Sequence, residues 1–110
     1  MRAVALTLSL FALAGIPTVT VAQAAPTIEQ AHRAYYLGQH HHSLALYEQL
    51  ARHGNAEAAE RAGFMLLQGD RDRAEPSGRD AARALALLLQ AAQAGRPGAA
   101  FILNMLEQTD

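Results

Sequence analysis

Cysteine, tryptophan and lysine are all absent from these 110 residues. Without cysteine there is no disulfide, no thiolate nucleophile and no zinc–thiolate site. All nine basic residues are arginines and stand against ten acidic ones, a net charge of −1. Such a balance forms no phosphate-neutralising patch, so nucleic acid is not an expected partner. The missing lysine fits arginine-biased, GC-rich bacterial coding better than any function. Serine is scarce too: Ser9, Ser43 and Ser77 are the only three, and none stands in a nucleophile motif. There is no Gly-rich phosphate loop and no H-E-x-x-H. No catalytic residue, cofactor or metal site is therefore assigned, and an enzyme is not expected. The length allows one small domain.

The first residues read as a targeting segment. Met1-Arg2 is a short positive start, Ala3 to Gly15 is apolar except for Thr7 and Ser9, and Pro17 interrupts the run. Ala22-Gln23-Ala24 is an A-x-A cleavage signature, so residues 1–24 are expected to be a signal peptide cut after Ala24. The apolar run is shorter than the roughly 20 residues that span a bilayer, so no stable membrane insertion is expected after cleavage. The expected mature domain, 25–110, has 86 residues and a net charge of −2, and it is expected to be periplasmic or secreted.

What remains is rich in alanine, the best helix former, and β-branched residues after Thr27 are almost confined to Ile28 and Ile102. Helices are predicted over about 27–38, 40–53, 56–68, 80–94 and 97–108, with a loop at 69–79 and no strand. Thr27 and Gln30 form a capping box, Asn55 and Asp80 are expected N-caps, and Pro97 suits a first turn. Gly54 and Gly95 are expected to end their helices in the left-handed conformation.

An internal repeat supports this division. Leu44–Ala59 placed over Leu85–Ala100, an offset of 41, is identical at eight of sixteen positions, among them Leu44/Leu85, Leu46/Leu87, Gln49/Gln90 and Gly54/Gly95. Tyr35–Gly38 lies over Leu66–Gly69 at an offset of 31. Each copy is a helix, a glycine stop and the start of another helix. Gly63, Ala51, Ala92 and Ala99 are expected where helices cross, with Leu46, Leu50, Leu85, Leu88, Phe64 and Leu103 filling the space between.

Ala58, Ala62, Gly63, Leu66 and Gly69, followed by Asp80, Ala84, Leu87, Ala91-Ala92, Gly95 and Ala99, resemble the Sel-one-like repeat, a relative of the tetratricopeptide repeat. Tyr47–Ala58 resembles the second-helix pattern of the same family. The resemblance implies an all-α fold, a short right-handed α-solenoid of antiparallel helix pairs with about five helices. It further implies a non-enzymatic module of the bacterial cell envelope that binds a partner protein or peptide through a concave face. The first helix of each pair lines that face, which selects Ile28, His32, Tyr35 and Tyr36, then Glu60, Phe64 and Leu67, then Phe101 and Met105. Aromatic and methionine side chains beside an acidic group suit an apolar peptide carrying a basic residue.

Two other readings stand beside this one. Phe101, Ile102, Met105 and Leu106 on the last helix have no following repeat to cover them. They would serve a homo-oligomer, or a structural or inhibitory accessory subunit that docks by its terminal helix. The third and minor reading is histidine-based metal binding, as in a small periplasmic metal-buffering protein. His40, His41 and His42 are consecutive and point about 100° apart on a helix, which suits a solvated helix start better than a metal site. Asp70–Glu75 looks like a calcium loop but has Glu75 at position six and Ala81 at position twelve, against the glycine and glutamate that such a loop needs.

Overall fold

The structure is a computed structural model that describes residues 25–71 and 78–109. The expected signal peptide, 1–24, and residues 72–77, most of the expected loop, lie outside the described residues. The described residues form five helices and no strand: α1 (Ile28–Tyr36), α2 (His40–Arg52), α3 (Ala56–Arg71), α4 (Gly78–Gln93) and α5 (Pro97–Gln108). No described helix is long and apolar enough to cross a membrane.

Local chemistry sets most of the boundaries. The Gln30 amide donates to Thr27 Oγ1 and the Thr27 amide to Gln30 Oε1, which completes the capping box of α1. Asn55 Oδ1 accepts from the Ala58 amide at 2.9 Å and caps α3. Pro97 opens α5, where its missing N–H costs nothing. Three turns share one construction. Gly38, Gly54 and Gly95 have φ of 80°, 94° and 94°, and each glycine amide donates to the carbonyl three residues back. The next residue's amide donates five residues back: Gln39 to Ala34, Asn55 to Leu50 and Arg96 to Ala91. These bonds use up the last carbonyls of a helix and reverse the chain within three residues.

Two boundaries differ from the sequence reading. Gly69 does not stop α3, which runs on to Arg71; an ordinary helical glycine costs a helix only about 1 kcal/mol. Asp80 is not the cap of α4, which starts at Gly78. The aspartate sits inside the first turn, where its charge suits the helix dipole and Oδ1 accepts from Arg83 Nη1 at 3.3 Å.

Each helix packs on the next, and the α3–α4 interface is the most extensive. Contacts also reach one helix further. His32 of α1 meets Glu57 of α3. On α4, Arg83 pairs with Glu48 of α2, and Gln90 Nε2 donates to the Ala51 carbonyl of α2 at 2.8 Å. Across the turn before α5, Arg96 reaches Glu60 of α3. The core is built mainly from alanine. Ala31, Tyr47, Ala58 and Ala62 form one buried cluster, and Ala51, Ala59, Leu88, Ala91 and Ala99 a second. Leu87 touches both and joins them. Small residues let helix axes approach closely, and Gly63 is the extreme case: a Cβ there would lie 2.7 Å from Leu88 Cγ. Leu46, Leu50, Phe64, Leu103 and Ala92 are half-buried against these clusters, as expected.

Leu85 is not in the core. It is 44% exposed, and Leu89, one turn on, is 51% exposed. α4 turns Ala84, Leu88 and Ala91 inward and Arg83 and Gln90 toward α2, which leaves Leu85 and Leu89 on a side that no described helix covers.

Candidate functional site

The clearest concavity on the first-helix side lies between α1, the start of α2 and α3. Tyr35, His40, Phe64, Met65, Gln68 and Gly69 line an open groove of about 490 Å³. A smaller recess of about 120 Å³ shares Tyr35, Phe64 and Met65 and reaches Tyr47 and Arg61. Helical spacing explains the lining: Arg61, Phe64, Met65 and Gln68 stand at i, i+3, i+4 and i+7 on one stripe of α3. Tyr35 is 41% exposed and packs edge-on against His40, with ring centroids 5.0 Å apart. His40 is thus part of the groove, whereas His41 and His42 have no place in its lining. Among the described residues no three metal-ligating side chains are placed to hold one ion.

Of the residues selected from the sequence, Tyr35 and Phe64 meet in this groove. Tyr36 is 80% exposed and stands edge-on to Tyr35 at 5.9 Å, outside the lining. Ile28 and Leu67 are half-buried and pack against the two core clusters, so they belong to the core. Phe101 and Met105, 63% and 47% exposed, follow Gly98 at i+3 and i+7 on α5. Gly98 itself lies against Phe64, where a Cβ would come 3.8 Å from the ring.

Glu60 is the main correction. It is 6% exposed and turned away from the groove, accepting at Oε1 from Arg96 Nε at 3.1 Å and Nη2 at 2.7 Å. Its other oxygen is held beside Gly98 in the first turn of α5, at the positive end of the helix dipole. Desolvation of a carboxylate is tolerated because a guanidinium and a helix terminus take its charge. The charged lining residue is instead Arg61, whose Nη2 lies 3.7 Å from Glu57 Oε2 and whose side chain is 45% exposed. The groove lining contains no carboxylate.

His32 serves the site from behind. Its Nε2 lies 3.4 Å from Glu57 Oε2, and its Nδ1 shares a close hydrogen bond with the Tyr47 hydroxyl. Ser43, one turn earlier on α2, donates to the Ala31 carbonyl at 2.9 Å and fixes α1 on α2. Carboxylate, imidazole and hydroxyl stand in the order of a nucleophile triad. The environment works against that chemistry, because burial raises the Tyr47 hydroxyl above its ordinary value of 10.0. The hydroxyl stays protonated, and His32 acts to position the ring that floors the recess.

The direction of that shift fixes a pH dependence. The folded chain holds the Tyr47 proton more tightly than the unfolded chain does. The stabilisation is therefore complete below pH 10.0 and is lost as pH rises through the raised folded value. Urea midpoints are expected to fall above pH 10.0, and Tyr47→Phe should remove this part of the fall. At neutral pH the same variant should lose about 1 kcal/mol with the hydrogen bond to His32.

Tyr47, Arg61, His40, Met65 and Gln68 were not legible as site residues from the repeat pattern. Residues 60, 64 and 67 make as good a stripe as 61, 64, 65 and 68, and only the seating of α3 against its neighbours chooses between them. No protein-family model, curated protein or solved structure matches this chain.

Proposed function

We propose that the protein is a non-enzymatic interaction module of the bacterial cell envelope that captures a short apolar segment of a partner protein in the α1–α3 groove. The observation that carries this reading is the groove itself: an exposed tyrosine beside half-buried Phe64 and Met65, one arginine and no acidic residue. Aromatic anchors in partly desolvated grooves contribute most of the affinity of such sites, and methionine adapts to varied partners. With Arg61 in place of Glu60 as the charged group, the partner segment carries an acidic residue beside its apolar one. The short right-handed solenoid of Sel-one-like type belongs to the same proposal; contacts between each helix and the next, with side-chain links to the next but one, suit a stack of helix pairs.

Peptides displayed on phage and selected on the protein are expected to pair an apolar or aromatic residue with an acidic one. On Arg61→Glu a basic residue should take the acid's place. Tyr35→Ala should weaken a selected peptide about 30-fold, the equivalent of about 2 kcal/mol. Selection that is indifferent to both changes, with helicity intact by circular dichroism, would remove the groove from consideration.

A second reading has its own observation. Phe101 and Met105 on α5, with Leu85 and Leu89 on α4, remain exposed and suit a structural or inhibitory accessory subunit or a homo-oligomer at the C-terminal end. The same proposal places the mature chain in the periplasm or outside the cell. N-terminal sequencing from the native host is expected to begin at Ala25, and a mature chain that keeps Met1-Arg2 would remove the export reading.

A further inference from the structure

The N-terminal end of the molecule carries a second groove, of about 440 Å³, between α1 and α2. Its α2 wall contains His42, Leu46 and Gln49. At the 41-residue offset of the internal repeat these correspond to Arg83, Leu87 and Gln90. Those three α4 residues are the ones that hold α2: Arg83 binds Glu48, Gln90 donates to the Ala51 carbonyl, and Leu87 joins the two core clusters. The α1 wall corresponds in the same way. Gln30 and Ala34 stand, at the 31-residue offset, where α3 has Arg61 and Met65, which lie beside Tyr47 of α2.

From this register we infer that the N-terminal groove is a helix seat that no described helix fills, equivalent to the seat that α3 and α4 provide for α2, and that it binds one amphipathic helix of a partner protein. The inner junction specifies the chemistry of the occupant. α2 turns Leu44, Tyr47, Glu48 and Ala51 toward its seat, a pattern of apolar, apolar, acidic and small at i, i+3, i+4 and i+7. In the outer seat, His42 replaces Arg83 and Arg33 stands on the opposite wall, while no lining residue is acidic. The occupant therefore carries a carboxylate at i+4, as α2 carries Glu48. Ala34 in place of Met65 deepens the floor, so the residue at i+3 is large. Leu37, exposed at the end of α1, completes the apolar surface.

The α4 helix of a second copy of this chain does not fit. It offers Leu85 and Leu89, but α5 follows α4 across the same three-residue turn by which α3 follows α2, and it would fall where α1 lies. This seat is separate from the α1–α3 groove and shares no lining residue with it.

The test uses the protein purified from the envelope of an expressing host and a fluorescein-labelled synthetic peptide of residues 40–53, the helix that the inner seat takes. Saturable binding by anisotropy is expected. Arg33→Glu with His42→Glu should weaken it at least about tenfold, and the peptide with Glu48→Arg should recover that loss on the double variant. Binding that survives the double variant, or that is lost instead with Leu89→Glu on α4, would overturn the assignment. So would the absence of saturation up to about 1 mM. Concentration-dependent self-association abolished by Leu89→Glu would give the seat to a second copy and also overturn it. Tyr35→Ala should leave peptide binding unchanged, which separates this seat from the proposed concave site.

Discussion

Gly63→Ala is expected to lower the unfolding free energy by about 1–3 kcal/mol, and Gly63→Val by more, out of a total that domains of this size hold at only about 5–10 kcal/mol. A Cβ at this position would lie 2.7 Å from Leu88 Cγ, 2.8 Å from Leu88 Cδ2 and 3.3 Å from the Ala84 carbonyl oxygen. Leu88 is fully buried at the centre of the second core cluster and has no room to retreat, and the Ala84 carbonyl is part of the α4 backbone. The strain must therefore separate α3 from α4 at their largest interface. Gly69→Ala, six residues further along the same helix, is expected to do the opposite. Its Cβ meets nothing within 4 Å and its φ is not in the left-handed region, so alanine removes unfolded-state entropy and adds about 0.5 kcal/mol. Urea melts followed by circular dichroism read both. Equal and small effects would mean that α3 and α4 do not cross at Gly63.

The second large effect is expected at Arg96. Arg96→Ala leaves the Glu60 carboxylate buried with neither of the two hydrogen bonds that Nε and Nη2 supply. Glu60→Ala leaves a guanidinium that is 38% exposed and returns to water. Desolvation makes these losses unequal: the glutamate change should cost about 1–2 kcal/mol, and the arginine change clearly more. The double variant should be less unstable than the sum of the two, because the second change removes the charge that the first one strands. Thermal melts of the three variants give the comparison. An arginine change milder than the glutamate change would show that water already reaches the carboxylate.

The caps and turns were legible because their chemistry is local. Thr27 with Gln30, Asn55 with Ala58, and the glycines at 54 and 95 each act within a few residues, and the sequence states them directly. Gly63 as a crossing point was also legible, since a glycine amid helix formers invites a packing reason. Glu60 was not. It reads as a solvent-seeking charge until Arg96, 36 residues away, arrives across the α4–α5 turn. Tyr47 went unnoticed as core although it is among the largest fully buried side chains, and Ser43, Tyr47 and Ala51 did mark a stripe at i, i+4 and i+8. Leu85 failed for the reverse reason. Periodicity identifies an apolar side of α4, but only the fold shows that nothing described packs there. The concave groove was half read, with Tyr35 and Phe64 chosen and Arg61 missed, because the rotation of α3 about its axis is set by its neighbours.

The reach of the contacts has a kinetic consequence. The hydrogen bond from Gln90 to Ala51 joins positions only 39 residues apart, and the most extensive packing is between each helix and its next. Folding then requires only short loop closures, each stabilised by the pair of helices already in place, which puts such a chain among fast folders on the microsecond-to-millisecond scale. It also means that α1 can detach with the loss of its contacts to α2 and α3 alone, while α4 and α5 keep theirs. Opening proceeds from the ends inward, and the α3–α4 pair is the last part of the molecule to come apart.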